Sequence, residues 1–179
     1  MWPVGHVAIA YILYSVSTRF RFEETPTAGP AIVVVFGSIF PDLVDKPLAW
    51  YFDVLPTGRT LMHSLLVLVP LCLAVYLVTR AYDRSEYGVA FAIGAISHSL
   101  VDALPRLWNP EADVGFLLWP YWSVDPYEGN PPTVTELLLN SLADPYFYSE
   151  FVLLAIALVL WRAHGYPGLS EPLQSLQDR

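Results

Sequence analysis

The chain has 179 residues, of which 55% are hydrophobic and 15% are charged, and its formal net charge is −8. Soluble globular domains usually carry about 25% charged residues, so the composition favours a membrane-embedded protein over the alternative, a very apolar soluble bundle. The acidic balance argues against nucleic acid as a partner. One lysine against eight arginines fits a halophilic source, although a GC-rich genome would also favour arginine.

Five apolar segments that lack Asp, Glu, Lys and Arg follow one another along the chain. They cover residues 1–18, 25–41, 60–79, 87–101 and 151–161. A membrane-spanning helix needs roughly 17–25 apolar residues, a length that the third segment reaches alone and the others reach by including their polar ends. The pattern predicts an all-α, polytopic membrane bundle of about five helices.

Residues 104–145 depart from this pattern. They hold seven of the sixteen prolines and three of the six tryptophans. Repeated proline prevents a continuous helix and tryptophan prefers the headgroup level of a bilayer, so we expect an interfacial cap here. Within it, Thr133 and Glu136 have the spacing of a capping box that opens a short helix. We assign residues 1–163 to a single membrane-embedded domain and 164–179 to a polar, flexible tail.

Ionisable side chains stand at one end of each of the first four apolar segments. In an alternating hairpin of helices, those four ends meet at the same membrane face. Ionisable groups are costly in or beside hydrocarbon, so their convergence predicts a functional site. The side chains are His6 in the first segment, Asp42 and Asp45 in the second, His63 in the third, and His98 and Asp102 in the fourth.

Histidine and carboxylate together form the ligand set of a catalytic metal, and zinc is the divalent metal we expect. His98 and Asp102 are four residues apart, which places them on one helix face where both can reach one ion. Taken singly, each residue also fits a structural role, such as a hydrogen bond that caps a helix end. The candidate ligands are three histidines and two aspartates: His6, Asp42, His63, His98 and Asp102.

Two further residues have predicted roles in catalysis. Asp45 follows Asp42 by three residues, near the same face of a helical turn, and is a candidate for a further ligand or the general base. Arg59 lies four residues before His63, so a helix would direct it to the mouth of the site. A guanidinium there suits a phosphate or carboxylate group, although an anchor at the membrane interface would look the same.

At these residues the sequence resembles the membrane-bound metal-dependent hydrolase family, which includes LexA-regulated inner-membrane proteins. The resemblance covers residues 1–105 and rests on four motifs: Gly5-His6, Pro41-Asp42-Leu43-Val44-Asp45, Gly58-Arg59-Thr60-Leu61-Met62-His63-Ser64 and His98-Ser99-Leu100-Val101-Asp102. The third motif departs from the family pattern, which has histidine at Gly58 and threonine at Met62. The family is distantly similar to zinc-dependent phospholipase C and P1-type nucleases, which implies a phosphoester substrate.

The sequence therefore predicts an integral-membrane, metal-dependent hydrolase of a phosphoester, with a phospholipid suited to a site beneath an aromatic cap. Two alternatives stay open: an ion-coupled transporter, whose ionisable groups should lie near the bilayer midplane, and a non-catalytic membrane scaffold. Six arginines fall on one side of a five-helix arrangement and three basic residues on the other. The positive-inside rule then predicts a multi-pass plasma-membrane protein with its site on the outer side.

Overall fold

The computed structural model describes residues 2–126, 133–142 and 144–169. These contain six α-helices, two short 3₁₀ helices and no strand. The α-helices are α1 (Pro3–Phe22), α2 (Ala28–Trp50), α3 (Leu65–Ala81), α4 (Ser85–Ala103), α5 (Val134–Leu142) and α6 (Pro145–Ala163), and the 3₁₀ helices cover Leu104–Leu107 and Gly115–Leu118. The predicted all-α class is confirmed for the described residues, with five long helices and a short one inside the cap.

Helix α4 is the centre of the bundle, because it packs along α2 and α3 and also contacts α1, which α6 covers. Glycine permits the close approach of α2 and α4. A Cβ atom on Gly37 would lie 2.7 Å from the carbonyl oxygen of Phe91, and one on Gly94 would lie 2.5 Å from that of Val34. Small residues of this kind let helix backbones approach closely, as is common between membrane helices.

Three helical stretches are long and apolar enough to cross a bilayer, judged by length and composition: Ala28–Trp50, Ser85–Leu107 and Tyr146–Ala163. Helix α3 is apolar but has only 17 residues. The third helix begins later than the apolar segment of residues 60–79, because residues 60–64 belong to the loop that precedes α3. This loop is held by a buried carboxylate, described below.

Helix α2 continues past Asp42 and Asp45, where the sequence predicted its end. Pro41 and Pro47 both lie inside this helix. The sequence indicated a boundary there because the run without charged residues stops at Pro41. The extension to Trp50 places both aspartates within a helix rather than after one.

The described part of the cap agrees with two sequence expectations. The two 3₁₀ helices interrupt it, and Phe116 in the second is buried with 2% exposure. The capping box is confirmed: the Thr133 backbone N–H donates to Glu136 Oε2 at 2.8 Å, and the Glu136 N–H donates to Thr133 Oγ1 at 3.2 Å. Residues 127–132 and 143 of the cap, and 170–179 of the predicted tail, lie outside the described residues.

Replacing Gly94 with alanine should destabilise the protein, because the added methyl group meets the α2 backbone, which cannot move without separating α2 from α4. We expect a loss of about 1–3 kcal/mol in the free energy of unfolding, the usual range for overpacking. Thermal unfolding in detergent micelles measures it. Gly29→Ala is the matched control, because its methyl group would meet only the end of the Tyr87 side chain, which can rotate away. Equal losses in both variants would contradict the close packing.

Candidate metal centre

Two buried histidines face each other where the loop before α3 meets α4. His63 and His98 are 0% and 1% exposed, and their Nε2 atoms lie 3.1 Å apart. Asp42 Oδ1 lies 3.6 Å from His63 Nε2 and 3.7 Å from His98 Nε2. Asp102 Oδ2 lies 3.8 Å from His63 Nε2. Two nitrogens and two carboxylate oxygens from three parts of the chain therefore converge on one small volume.

His6 extends this cluster from the first turn of α1. Its ring stacks on that of His98, with centroids 3.8 Å apart and an interplanar angle of 21°. His6 Nε2 lies 3.2 Å from Asp102 Oδ1. Its Nδ1 is buried and has no hydrogen-bond partner among the described residues. All five candidate ligands from the sequence analysis are thus brought together.

Hydrogen bonds at Nδ1 orient the two central rings. His98 Nδ1 lies 2.6 Å from the backbone carbonyl oxygen of Ser38. His63 Nδ1 lies 2.8 Å from Asp45 Oδ2. Both partners accept hydrogen bonds, so each ring carries its proton on Nδ1 in the neutral form, a tautomer we assign from these contacts. Each Nε2 then presents a lone pair to the shared volume, the arrangement typical of metal-ligating histidines.

The Asp45 carboxylate is fully buried and organises the loop that carries His63. Its Oδ2 accepts from the Thr60 backbone N–H at 2.9 Å and its Oδ1 from the Met62 N–H at 2.9 Å. The His63 backbone N–H also points to Oδ2, at 3.3 Å. Both oxygens are therefore engaged in holding the loop and the His63 ring. This favours a positioning role over the predicted roles of ligand or general base.

Arg59 lies at the mouth of the cluster, with its side chain 49% exposed and its Nε 3.1 Å from Asp102 Oδ2. The sequence placed it there by helical spacing from His63. That reasoning is wrong, because residues 51–64 form a loop rather than a helix. The position at the mouth nevertheless agrees with the expectation, since the loop doubles back over α2.

Aromatic packing and a serine close the site toward the cap. The Phe116 ring lies edge-on to His63, with centroids 6.1 Å apart. Ser64 Oγ donates to the Trp119 carbonyl at 2.5 Å and accepts from the Leu66 backbone N–H at 3.2 Å. The same serine therefore caps α3 and ties its start to the cap.

Sequence reasoning missed two groups that support the cluster. Glu150 of α6 is 1% exposed, and both its oxygens lie 3.1 Å from the Trp2 backbone nitrogen, so it holds the start of α1 just before His6. A single glutamate in an apolar segment was the available signal for it. The Ser38 carbonyl left no signal, because every residue has one.

Two groups of side chains have the donors that a metal ion needs. They are His6, His98 and Asp102, and Asp42, His63 and His98, and in each group the ligand atoms lie within 4.8 Å of one another. Catalytic zinc sites use three protein ligands, among them two histidines with one carboxylate, and leave a position for water. Each group matches that donor set, and both share His98.

A family model described as YdjM inner membrane protein matches residues 1–166, a range that includes every candidate ligand. The chain belongs to the YdjM inner membrane protein family. No curated protein and no solved structure matches it. Family membership and the apolar helices establish a membrane protein. Hydrolase activity, and the distant similarity to phospholipase C, stay predictions for this YdjM-family chain.

Asp45→Asn should loosen the 57–63 loop, because an amide supplies one acceptor oxygen where the carboxylate supplies two. Hydrogen bonds to charged groups contribute about 1.5–3 kcal/mol each, so the variant should unfold at lower temperature and be cut faster by trypsin after Arg59. Asp53→Asn, an exposed position in the same loop, is the control. Wild-type rates of cleavage in Asp45→Asn would show that the carboxylate does not hold the loop.

Proposed function

We propose that this protein is an integral-membrane, metal-dependent hydrolase that acts on a phosphoester. The observation that carries the proposal is the pair of imidazoles whose Nε2 lone pairs converge at 3.1 Å beside Asp42 and Asp102. Two lone pairs this close repel each other unless a proton or a cation lies between them. Two carboxylate oxygens beside them favour a divalent cation.

Zinc suits the donor set, since the available atoms are imidazole nitrogens and carboxylate oxygens. The only cysteine, Cys72, is buried in the apolar cluster with Leu68 and Phe91 and is not needed as a ligand. We take His63, His98, Asp42 and Asp102 as the residues that would hold the metal. His6 is a further donor, because its Nε2 lies 3.2 Å from Asp102 Oδ1 and it belongs to the group formed with His98 and Asp102.

A divalent metal in this site would activate a water molecule and polarise the scissile phosphoester. The surrounding residues would orient the metal ligands and the substrate. Asp45 and the Ser38 carbonyl fix the two rings, so that little rearrangement is needed when ligand binds. Phe116 shields His63 from bulk water, and the half-exposed Arg59 can accept a substrate anion.

The substrate we propose is a phosphoester, with a phospholipid as the preferred form. Three features support this: the membrane family, the exposed guanidinium at the mouth, and the resemblance of the four motifs to metal-dependent hydrolases. His6 lies in the first turn of α1 and Asp102 in the last turn of α4. Groups near helix ends suit an interfacial active site better than a transport site at the midplane.

His63→Ala and His98→Ala should each reduce bound zinc, because each removes a donor whose lone pair faces the shared volume. His164→Ala is the matched control, since this histidine contacts Tyr11 at the opposite end of the bundle. Metal content of the purified variants, measured by elemental analysis beside phosphoester hydrolysis, tests the assignment. Removing a residue that hydrogen-bonds to a metal ligand typically weakens metal affinity about 10–100-fold, and removal of the ligand itself should exceed that.

The outcome that would overturn the proposal is wild-type protein without bound zinc, manganese or other divalent metal after purification under metal-replete conditions. Wild-type metal content in both His63→Ala and His98→Ala would equally remove these residues as ligands. Loss of zinc in His164→Ala would show that the assay reports folding rather than coordination.

We also propose that the site faces the outer side of the membrane, from the distribution of basic residues. Cysteines introduced at Thr25 and Ser85 in a Cys72→Ala background should then resist an impermeant thiol reagent in intact cells. A cysteine at Tyr51, at the other end of α2 and 80% exposed, should be labelled. The reverse pattern would refute the orientation without affecting the site.

A further inference from the structure

A second positively charged side chain, Lys46, lies beside the candidate metal centre, in addition to Arg59. Lys46 Nζ contacts Asp42 Oδ2 at 2.6 Å, and Asp42 Oδ1 is the atom that faces the two histidines. Arg59 contacts the other carboxylate: Asp102 Oδ2 lies 3.1 Å from its Nε and 3.8 Å from His63 Nε2, while Asp102 Oδ1 faces His6. Each candidate ligand carboxylate thus joins the histidine cluster to one cation.

The loop that carries Arg59 packs against Lys46. A Cβ atom on Gly58 would lie 3.1 Å from Lys46 Cγ and 3.4 Å from Trp50 Nε1, so the loop that carries Arg59 rests directly on the lysine stem. Lys46 also lies over the Trp50 ring, 5.7 Å from its centroid. The Lys46 and Arg59 side chains are 33% and 49% exposed, so both are accessible to a ligand.

Both cations keep hydrogen-bonding capacity beyond these contacts. An ammonium group has three N–H donors and a guanidinium has five, and each carboxylate contact described here uses one. We propose that Lys46 and Arg59 form a two-cation clamp for the phosphate of a phosphomonoester. This inference rests on the proposed function and narrows its substrate to a monoester, so that a phospholipid substrate would be one with a terminal phosphate, such as phosphatidic acid.

The number of positively charged groups that can contact the phosphate favours a monoester over a diester. The mouth offers three positive partners, namely the proposed metal, Lys46 and Arg59. A phosphomonoester has three terminal oxygens and a charge near −2, so each partner can take one oxygen. A diester has two terminal oxygens and a single charge, so two of the three partners would have to share one oxygen and less charge would be neutralised. A bound divalent ion adds positive charge, so phosphate should bind the zinc-loaded protein more tightly.

The single lysine of the chain gives a direct test. An uncharged amine-reactive ester modifies Lys46 and otherwise only the N-terminal amine, and peptide mapping separates these two sites. With the full-length, zinc-loaded protein in micelles, inorganic phosphate, glycerol phosphate and phosphatidic acid should each slow modification of Lys46. Dimethyl phosphate, a diester, should protect at least about tenfold less well, since it loses one charge-assisted hydrogen bond. If glycerol phosphate protects Lys46 better than phosphatidic acid does, the substrate is a soluble monoester. If phosphatidic acid protects better, it is a lipid monoester.

Variants test the pairing of the two cations. Arg59→Met should raise the phosphate concentration needed to protect Lys46 about tenfold or more, whereas Arg84→Met, at the opposite end of α4, should leave it unchanged. Calorimetry of inorganic phosphate binding to Lys46→Met should show a similar loss. Equal protection by monoester and diester, or no protection in protein whose zinc content is confirmed, would overturn the clamp while leaving the metal site intact. Absence of zinc would instead refute the proposed function.

Discussion

The buried carboxylate of Asp45 is the contact on which the site depends. It accepts hydrogen bonds from backbone N–H groups of the 60–63 loop and from the His63 ring, although it lies inside α2. Burying a carboxylate is unfavourable unless hydrogen bonds replace its hydration. This carboxylate therefore fixes the loop to α2 and orients the histidine at the same time. The same loop packs against Lys46 at Gly58 and brings Arg59 to Asp102, so the position of both cations depends on this carboxylate.

Close packing of α2 on α4 orients the second histidine, His98. Gly37 and Gly94 let the two backbones approach, and Ser38 follows directly after Gly37. Its carbonyl oxygen is thereby brought within 2.6 Å of His98 Nδ1. The hydrogen bond that orients His98 therefore depends on the same helix contact that stabilises the bundle. A change that separates these helices should therefore affect the site, even though neither glycine touches its polar atoms.

The sequence predicted much of this architecture from local patterns. His98 and Asp102 were placed correctly relative to each other because four-residue spacing has a fixed geometry on a helix. Arg59 and His63 were placed by the same rule, which does not apply to them because their segment is a loop. The end of α2 was misplaced at Asp42 and Asp45 because charged residues interrupt the apolar run there, whereas the helix continues to Trp50.

The role of Asp45 could not be read from the sequence for a different reason. Its partners are mainly backbone N–H groups, which every residue except proline possesses, so no residue type signals the contact. The same holds for the Ser38 carbonyl. Sequence reasoning therefore found the side chains that meet in the cluster, and named Asp45 beside them, but missed the contacts that orient the rings.

X-ray absorption at the zinc edge, on purified wild-type protein prepared with zinc, tests the central claim most directly. A bound ion should show only nitrogen and oxygen neighbours at about 2.0–2.2 Å, with the outer-shell scattering of at least two imidazole rings. An absence of zinc, or a sulfur neighbour at about 2.3 Å, would contradict a centre built from His63, His98, Asp42 and Asp102.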